Sequence, residues 1–398
     1  MHSTNLYKRG VFSLLVFYTA FFPYLSFGTN NMDTQPWFLL ACIGYLVFEK
    51  GRVNLFACIF VVFCLLLLFG FSIADASKGG VYASPLFLLI RAGFSYVTFF
   101  VGISVFFSIH RSGFLPKKIH FYLISIAYIG VGLLQSQGLS FLDFLSPNRT
   151  TVGRGVTSLA SEPTYFALIF LFFNLYKVLY ARSIFGEKEL RWYILIESLL
   201  VFILCKSTMV FFLVILMALN AVLVNRKVML YSAIILIPLL VWLFGFSELL
   251  MGSRVYKLVW LLLERPESFV MLDESVNSRA QDLIFPYIGL FYNFFLPGGI
   301  LSYGAFSEYA RQASEGVFYY GGSDKIMSFI GVLVYELGVV GLLLVYGLVF
   351  RFLKASGLGF IYLPFYLLLF HMAIPIGAGY AIALLAVTRE MTGRKAAM

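Results

Sequence analysis

The chain has 398 residues, 61% of them hydrophobic and 12% charged, with a formal net charge of +10 and a mean hydropathy of +0.91. So little polar cover cannot shield that much apolar surface, which excludes a water-soluble domain. The basic excess is scattered in pairs and threes between apolar stretches, so it reads as membrane topology and excludes a nucleic-acid footprint.

A helix needs roughly 20 apolar residues to cross about 30 Å of hydrocarbon, because every backbone amide must be satisfied within the segment. In chain order the pattern predicts about twelve segments, over 11–28, 36–48, 53–73, 82–109, 119–135, 164–181, 191–205, 208–225, 228–246, 326–350, 357–373 and 376–389. The first lacks a small-residue cleavage site and reads as an uncleaved anchor. The second is short, and only Lys206-Ser207-Thr208 divides the seventh from the eighth. Lys8/Arg9, Lys50/Arg52, Arg111/Lys117/Lys118, Arg182/Lys188/Arg191, Arg226/Lys227, Arg351/Lys354 and Arg389/Arg394/Lys395 fall on one side of this arrangement. Short loops on the other side carry Lys78 and Lys206. Basic residues of short loops stay cytoplasmic, so both termini are expected there. Cys42, Cys58, Cys64 and Cys205 all lie in predicted spans and read as small apolar residues, without a disulfide framework. The expected fold is all-α, one polytopic integral membrane domain over 1–398.

Two predicted outer-face segments are long, about 136–163 and 247–325, whereas the cytoplasmic loops are short. No phosphate-binding loop, dinucleotide fingerprint, H-E-x-x-H or Cys/His metal spacing occurs, which argues against an ATP-driven pump or a zinc protease. Within the larger loop, Ser253 to Glu264 and Asp282 to Gly298 are apolar but too short to span, the second interrupted by Pro286. Both suit helices lying at the membrane surface, with Trp260, Tyr287, Phe291 and Tyr292 at headgroup level. Charges inside spans are costly and face a partner or a cavity. Arg91 and Glu336 lie at matching depths from the outer face, which predicts an ion pair or an Arg91 side chain in a polar cavity. Lys177 and Glu197 match near the inner face, where snorkelling is the simpler account.

The shorter loop ends in Gly153-Arg154-Gly155-Val156-Thr157-Ser158-Leu159-Ala160-Ser161-Glu162-Pro163-Thr164-Tyr165. Ser278-Arg279-Ala280 sits in the larger loop, and Ser323-Asp324-Lys325 leads into Tyr335-Glu336-Leu337-Gly338-Val339-Val340-Gly341. This order of motifs resembles the Wzy-type O-antigen and capsular polysaccharide polymerases. The resemblance implies a GT-C-like architecture with a large periplasmic loop, in the bacterial inner membrane and with its active site facing the periplasm. It also implies an inverting transfer of a growing glycan from undecaprenyl diphosphate to the non-reducing end of a lipid-linked repeat unit. The partners would be the lipid-linked donor and acceptor, membrane lipids and a chain-length regulator protein, with no metal and no other cofactor. O-antigen ligases share the plan but carry a His-Asn element where this chain has Gly321-Gly322-Ser323-Asp324, which ranks the ligase second.

The chemistry itself asks for guanidinium groups shaped for the oxygens of a departing diphosphate. Arg154 and Arg279 are the candidates, with Arg91 a third; interfacial snorkelling or a loop salt bridge is the competing account of the two loop arginines. The incoming sugar hydroxyl needs a proton acceptor, for which Glu162, Asp324 and His371 are the outer-face candidates. Ser161 reads first as a cap of the sixth helix, Glu162 equally as cap or base, and Asp324 as cap or base of the tenth. A lipid-linked oligosaccharide flippase fits less well, since the halves show no internal repeat and one loop is large. A scaffold would leave Arg154 and Arg279 dispensable.

Overall fold

The computed structural model describes residues 2–26, 35–48, 55–76, 85–139, 143–146, 149, 155–206, 261, 264–265, 269–320, 325–356 and 362–386. Among them the chain is helical without a strand, apart from one antiparallel bridge between Ser328 and Ala373. The helices are α1 (His2–Phe21), α2 (Trp37–Phe48), α3 (Leu55–Ala76), α4 (Pro85–Arg111), α5 (Lys118–Ser136), α6 (Pro163–Tyr180), α7 (Arg182–Phe185) and α8 (Glu187–Cys205). Then come α9 (Phe269–Leu272), α10 (Glu274–Tyr292), α11 (Tyr303–Ala313), α12 (Phe329–Leu337), α13 (Val339–Ser356), α14 (Leu363–Phe370) and α15 (Gly379–Leu385). Four described stretches are long and apolar enough to cross a membrane: Leu89–Arg111, Lys118–Ser136, Pro163–Tyr180 and Val339–Ser356. Shorter apolar helices at Gly10–Phe21, Trp37–Phe48 and Val61–Ser72 accompany them. The predicted spans 208–225 and 228–246, and nearly all of 253–264 with Trp260, lie outside the described residues.

Three expectations are corrected. The first segment does not run to 28: α1 ends at Phe21, and Pro23, which has no N–H to offer a helix, lies in the turn beyond it. The apolar run 326–350 is two helices, α12 and α13, because Gly338 takes φ 62° and ψ −140°, a combination that only glycine adopts without strain. Pro286 does not interrupt its stretch, since α10 continues through it to Tyr292.

Backbone contacts group the chain into two compact units, Met1–Ala20 with Pro36–Phe114 and Glu267–Met398, and Phe21–Gln35 with Leu115–Pro266. In the first unit α4 is the central helix, packed by α2, α3 and α15. Gly102 permits the approach, since a Cβ there would lie 2.8 Å from the Phe38 ring and 3.2 Å from Ile382. Further toward the C-terminus of α4, buried His110 is fixed by the Ala386 carbonyl, 2.8 Å from its Nδ1. A second core of Phe285, Tyr303, Phe306, Ala310, Ile326 and Tyr335 joins α10, α11 and α12.

In the second unit nearly every side chain of α6 is buried, Asn174 and Lys177 included, so the helix is enclosed on all sides. Phe166, Phe170 and Phe173 ring it toward Tyr128 and Phe121 of α5. The segment Thr157–Ser161 leading into α6 is buried as well. Ser158 has left-handed backbone (φ 54°), held by its N–H donating to Gln135 Oε1 at 2.7 Å and its Oγ donating to the Tyr128 carbonyl at 2.5 Å. Gly155 passes so close to the end of α8 that a Cβ would fall 2.2 Å from the Cys205 carbonyl.

Candidate functional site

The helix α10 carries most of the polar chemistry of the first unit. It starts at Asp273, whose carboxylate caps it by accepting from the Val276 N–H at 2.9 Å. Asn277, fully buried, donates to the carbonyls of Val270 (3.0 Å) and Val317 (2.8 Å). Its Oδ1 accepts from Tyr319 N (3.3 Å), Tyr320 N (3.2 Å) and Gln281 Nε2 (2.8 Å). One asparagine thus fastens the segment 317–320 to the helix, leaving the rings of Tyr319 and Tyr320 exposed.

One turn further on, Arg279 is half-buried and Asp282 is buried. Asp282 Oδ1 accepts from the Met327 N–H at 3.3 Å, which ties α10 to the segment that follows Asp324. Pro286 has no N–H for the Asp282 carbonyl, and α12 crosses close to that carbonyl. A Cβ on Gly331 would lie 3.0 Å from that carbonyl and 2.9 Å from Pro286 Cγ, so only glycine allows so close a crossing. Burial pushes the Asp282 carboxyl up to about 7, against the opposing pull of the Met327 N–H and the Arg279 charge. Tyr303 is the other ionisable group facing it.

This burial has a measurable sign. The folded-state value lies above the ordinary 3.8, so the stability it contributes is complete at low pH and is lost as pH rises through about 7. At about 1.4 kcal/mol per unit the loss is on the order of 4 kcal/mol. Melting temperature in detergent should therefore fall between about pH 4 and about pH 8 in the wild type and stay flatter in Asp282→Asn. Equal slopes would remove Asp282 as the cause.

His371 ends α14 as its C-cap. Its Nδ1 is 2.6 Å from the Leu367 carbonyl and its Nε2 is 2.7 Å from Tyr287 Oη, with the two rings stacked at 5.6 Å and 24°. Tyr346 of α13 hydrogen-bonds the same tyrosine. Glu336, buried, accepts from Tyr96 Oη of α4 at 2.9 Å. Arg91 lies on the same helix as Tyr96 and acts on the Glu336 carboxylate through space. Arg91 lies in the second turn of α4 and Glu336 in the last turn of α12.

The break after Glu336 is held by the preceding loop. Gly298 N donates to the Tyr335 carbonyl and Val339 N to the Phe295 carbonyl, both at 2.9 Å. Phe294 and Phe295 pay for this wedge with left-handed backbone, φ 52° and 65°.

In the second unit Glu162 occupies the N-cap position of α6 with extended backbone, but its side chain makes no capping bond. Ser161 does not cap either; its buried Oγ has no partner among the described residues. Pro163 at the first helical position already removes one N–H that a cap would serve. Near the other end of α6, Lys177 is fully buried and pairs with Glu197, so the snorkelling account is corrected. Arg154 and Asp324 lie outside the described residues.

Arg91, Arg279, His371 and Glu336 thus belong to the first unit and Glu162 to the second. The residues that sequence reasoning missed are Asp282, one turn from Arg279, and Tyr287, the partner of His371. The i, i+3 spacing of Arg279 and Asp282 was the available signal. Among the described residues no three His, Cys, Asp or Glu side chains gather as a metal-ligand set. Fold and composition define an all-helical, membrane-embedded protein. No family model, curated protein or solved structure matches the chain.

Proposed function

We propose that the chain is a bacterial surface-polysaccharide polymerase of the inner membrane. It moves a growing glycan from undecaprenyl diphosphate to the non-reducing end of a lipid-linked repeat unit, inverting the anomeric carbon at the periplasmic face. One observation carries the reading: the helix bearing Arg279 and the segment leading to Glu336-Leu337-Gly338 pack as one body, through Asp282 and Met327, Gly331 against Pro286, and Tyr335 against Gly289. Two of the three stretches that carry the family resemblance are neighbours, although Ser278 and Lys325 are separated by a long stretch of chain. The positive-inside pattern supports cytoplasmic termini and a catalytic outer face.

Arg279, half-buried one turn from Asp282 on α10, carries the planar guanidinium whose donors match diphosphate oxygens. The leaving diphosphate drives the transfer, and no cofactor or metal enters the scheme. Removing one such preorganised charge costs roughly 10²–10³ in rate.

The test is complementation of a polymerase-null strain with Arg279→Ala and Arg154→Ala, after membrane expression is verified. The glycan ladder is expected to collapse to a single repeat unit on lipid A core. Loss of all glycan from the core would instead identify a ligase, and normal ladders from both variants would remove the diphosphate assignment.

A further inference from the structure

Resting on the polymerase reading, we propose that Tyr287 and His371 act as a proton-accepting pair, in which Tyr287 Oη is the atom that meets the acceptor hydroxyl. The Leu367 carbonyl 2.6 Å from His371 Nδ1 can only accept, so the ring proton is on Nδ1. The lone pair of the neutral ring is then on Nε2, and the phenol 2.7 Å away donates to it. The one basic atom of His371 is therefore already covered by Tyr287, and a substrate hydroxyl reaches it through the tyrosine. Both rings are half-buried and mutually stacked, which fixes the donor direction.

The helix end favours this direction of proton flow. His371 caps the C-terminus of α14, where the last carbonyls stabilise a positive imidazolium. Tyr287 of α10, His371 of α14 and Tyr346 of α13 are the ionisable groups that face one another here. With one bond given to His371 and one shared with Tyr346, Tyr287 Oη keeps a lone pair for a third partner. It stands on the same helix as Arg279, about 12 Å further along the axis. An extended arginine side chain and a bound diphosphate fill that distance.

In the step, the acceptor oxygen bonds to the anomeric carbon as the bond from that carbon to the diphosphate oxygen breaks, its electron pair leaving with the diphosphate. The hydroxyl proton passes to Tyr287 Oη while the phenol proton passes to His371 Nε2. The imidazolium then releases its proton to water.

The experiment is chain extension by the full-length protein in liposomes with a lipid-linked repeat unit, followed against pH for the wild type, Tyr287→Phe, His371→Gln and the double variant. Each single variant should lose roughly 100-fold or more in turnover with little change in KM. Each should also lose the acidic limb of the profile, and the double should fall no further than the worse single. Tyr287→Phe within threefold of wild type, or losses that multiply in the double, would overturn the pair. If Tyr287→Phe fails to reach the membrane, 3-fluorotyrosine at 287 preserves shape and acidifies the phenol. A profile displaced to lower pH then supports the pair and an unmoved one overturns it. A wild type that extends nothing fails the polymerase reading itself, a result distinct from an active wild type with an unaffected tyrosine variant.

Discussion

Lys177→Met is expected to lose about 3–5 kcal/mol of stability, because it leaves the Glu197 carboxylate buried without its counter-charge. Lys177 is fully buried, on α6, and Glu197 on α8 is 2% exposed. Lys177 Nζ lies 4.3 Å from the Phe173 ring centroid and 4.2 Å from that of Tyr193, so aromatic faces supply the rest of its shell. The carboxylate also accepts from Ser125 Oγ of α5, which in turn lies 2.7 Å from Tyr193 Oη. Three helices thus depend on two charges that have no route to water. Glu197→Gln should cost a comparable amount, whereas Lys177→Met combined with Glu197→Gln should recover most of it, since the uncompensated charge is gone. Melting curves in detergent for the two singles and the double close the cycle. Additive losses would show that the residues do not act as a pair.

Gly338→Ala should be equally damaging for a different reason. A Cβ at 338 would sit 2.6 Å from the Phe295 carbonyl oxygen and the Leu296 carbonyl carbon, both backbone atoms with no rotamer to yield. The backbone angles add a penalty of about 1–3 kcal/mol for any residue with a side chain. Forced overlap brings a further cost of about 1–3 kcal/mol. Together they should cost the protein its monodisperse folded form, read by size-exclusion profile and melting temperature. Gly347→Ala is the control, because a Cβ there meets nothing within 4 Å. A Gly338→Ala profile matching that control would mean that the chain does not break there.

What could be read from the sequence was what depends on neighbours along the chain. The limits of α5 and α6 match the expected spans to within a residue, because an apolar run and its polar flanks are local facts. Gly338 is one glycine in an apolar run, and what makes it a break is Phe295 and Gly298, brought in from far along the chain. Pro286 looked like a stop because a proline removes a helical bond. The helix nevertheless runs on to Tyr292, with α12 crossing it at Gly331, close to the carbonyl that Pro286 leaves without a helical donor. Snorkelling was the economical account of Lys177 until Phe173, Tyr193 and Ser125 closed around it. Within the site, Arg279 stood out through the loop motif that carries the resemblance, and His371 as a histidine near the outer face. Asp282 and Tyr287 did not, because one is made distinctive by burial under Met327 and the other by a bond to a ring many residues away.

The wedge of residues 293–298 also bears on how the protein is made. Without it, the Val339 N–H and the Tyr335 carbonyl lose the partners they have in the break, and apolar surroundings tolerate such groups poorly. A ribosome delivers 293–298 before 335–339, so the groups that satisfy the break exist before the break does. The reverse order would leave a nascent run from 329 to 356 free to close as one long continuous helix, with Glu336 inside it and the loop shut out. The direction of synthesis, and not the apolar pattern, favours the broken form.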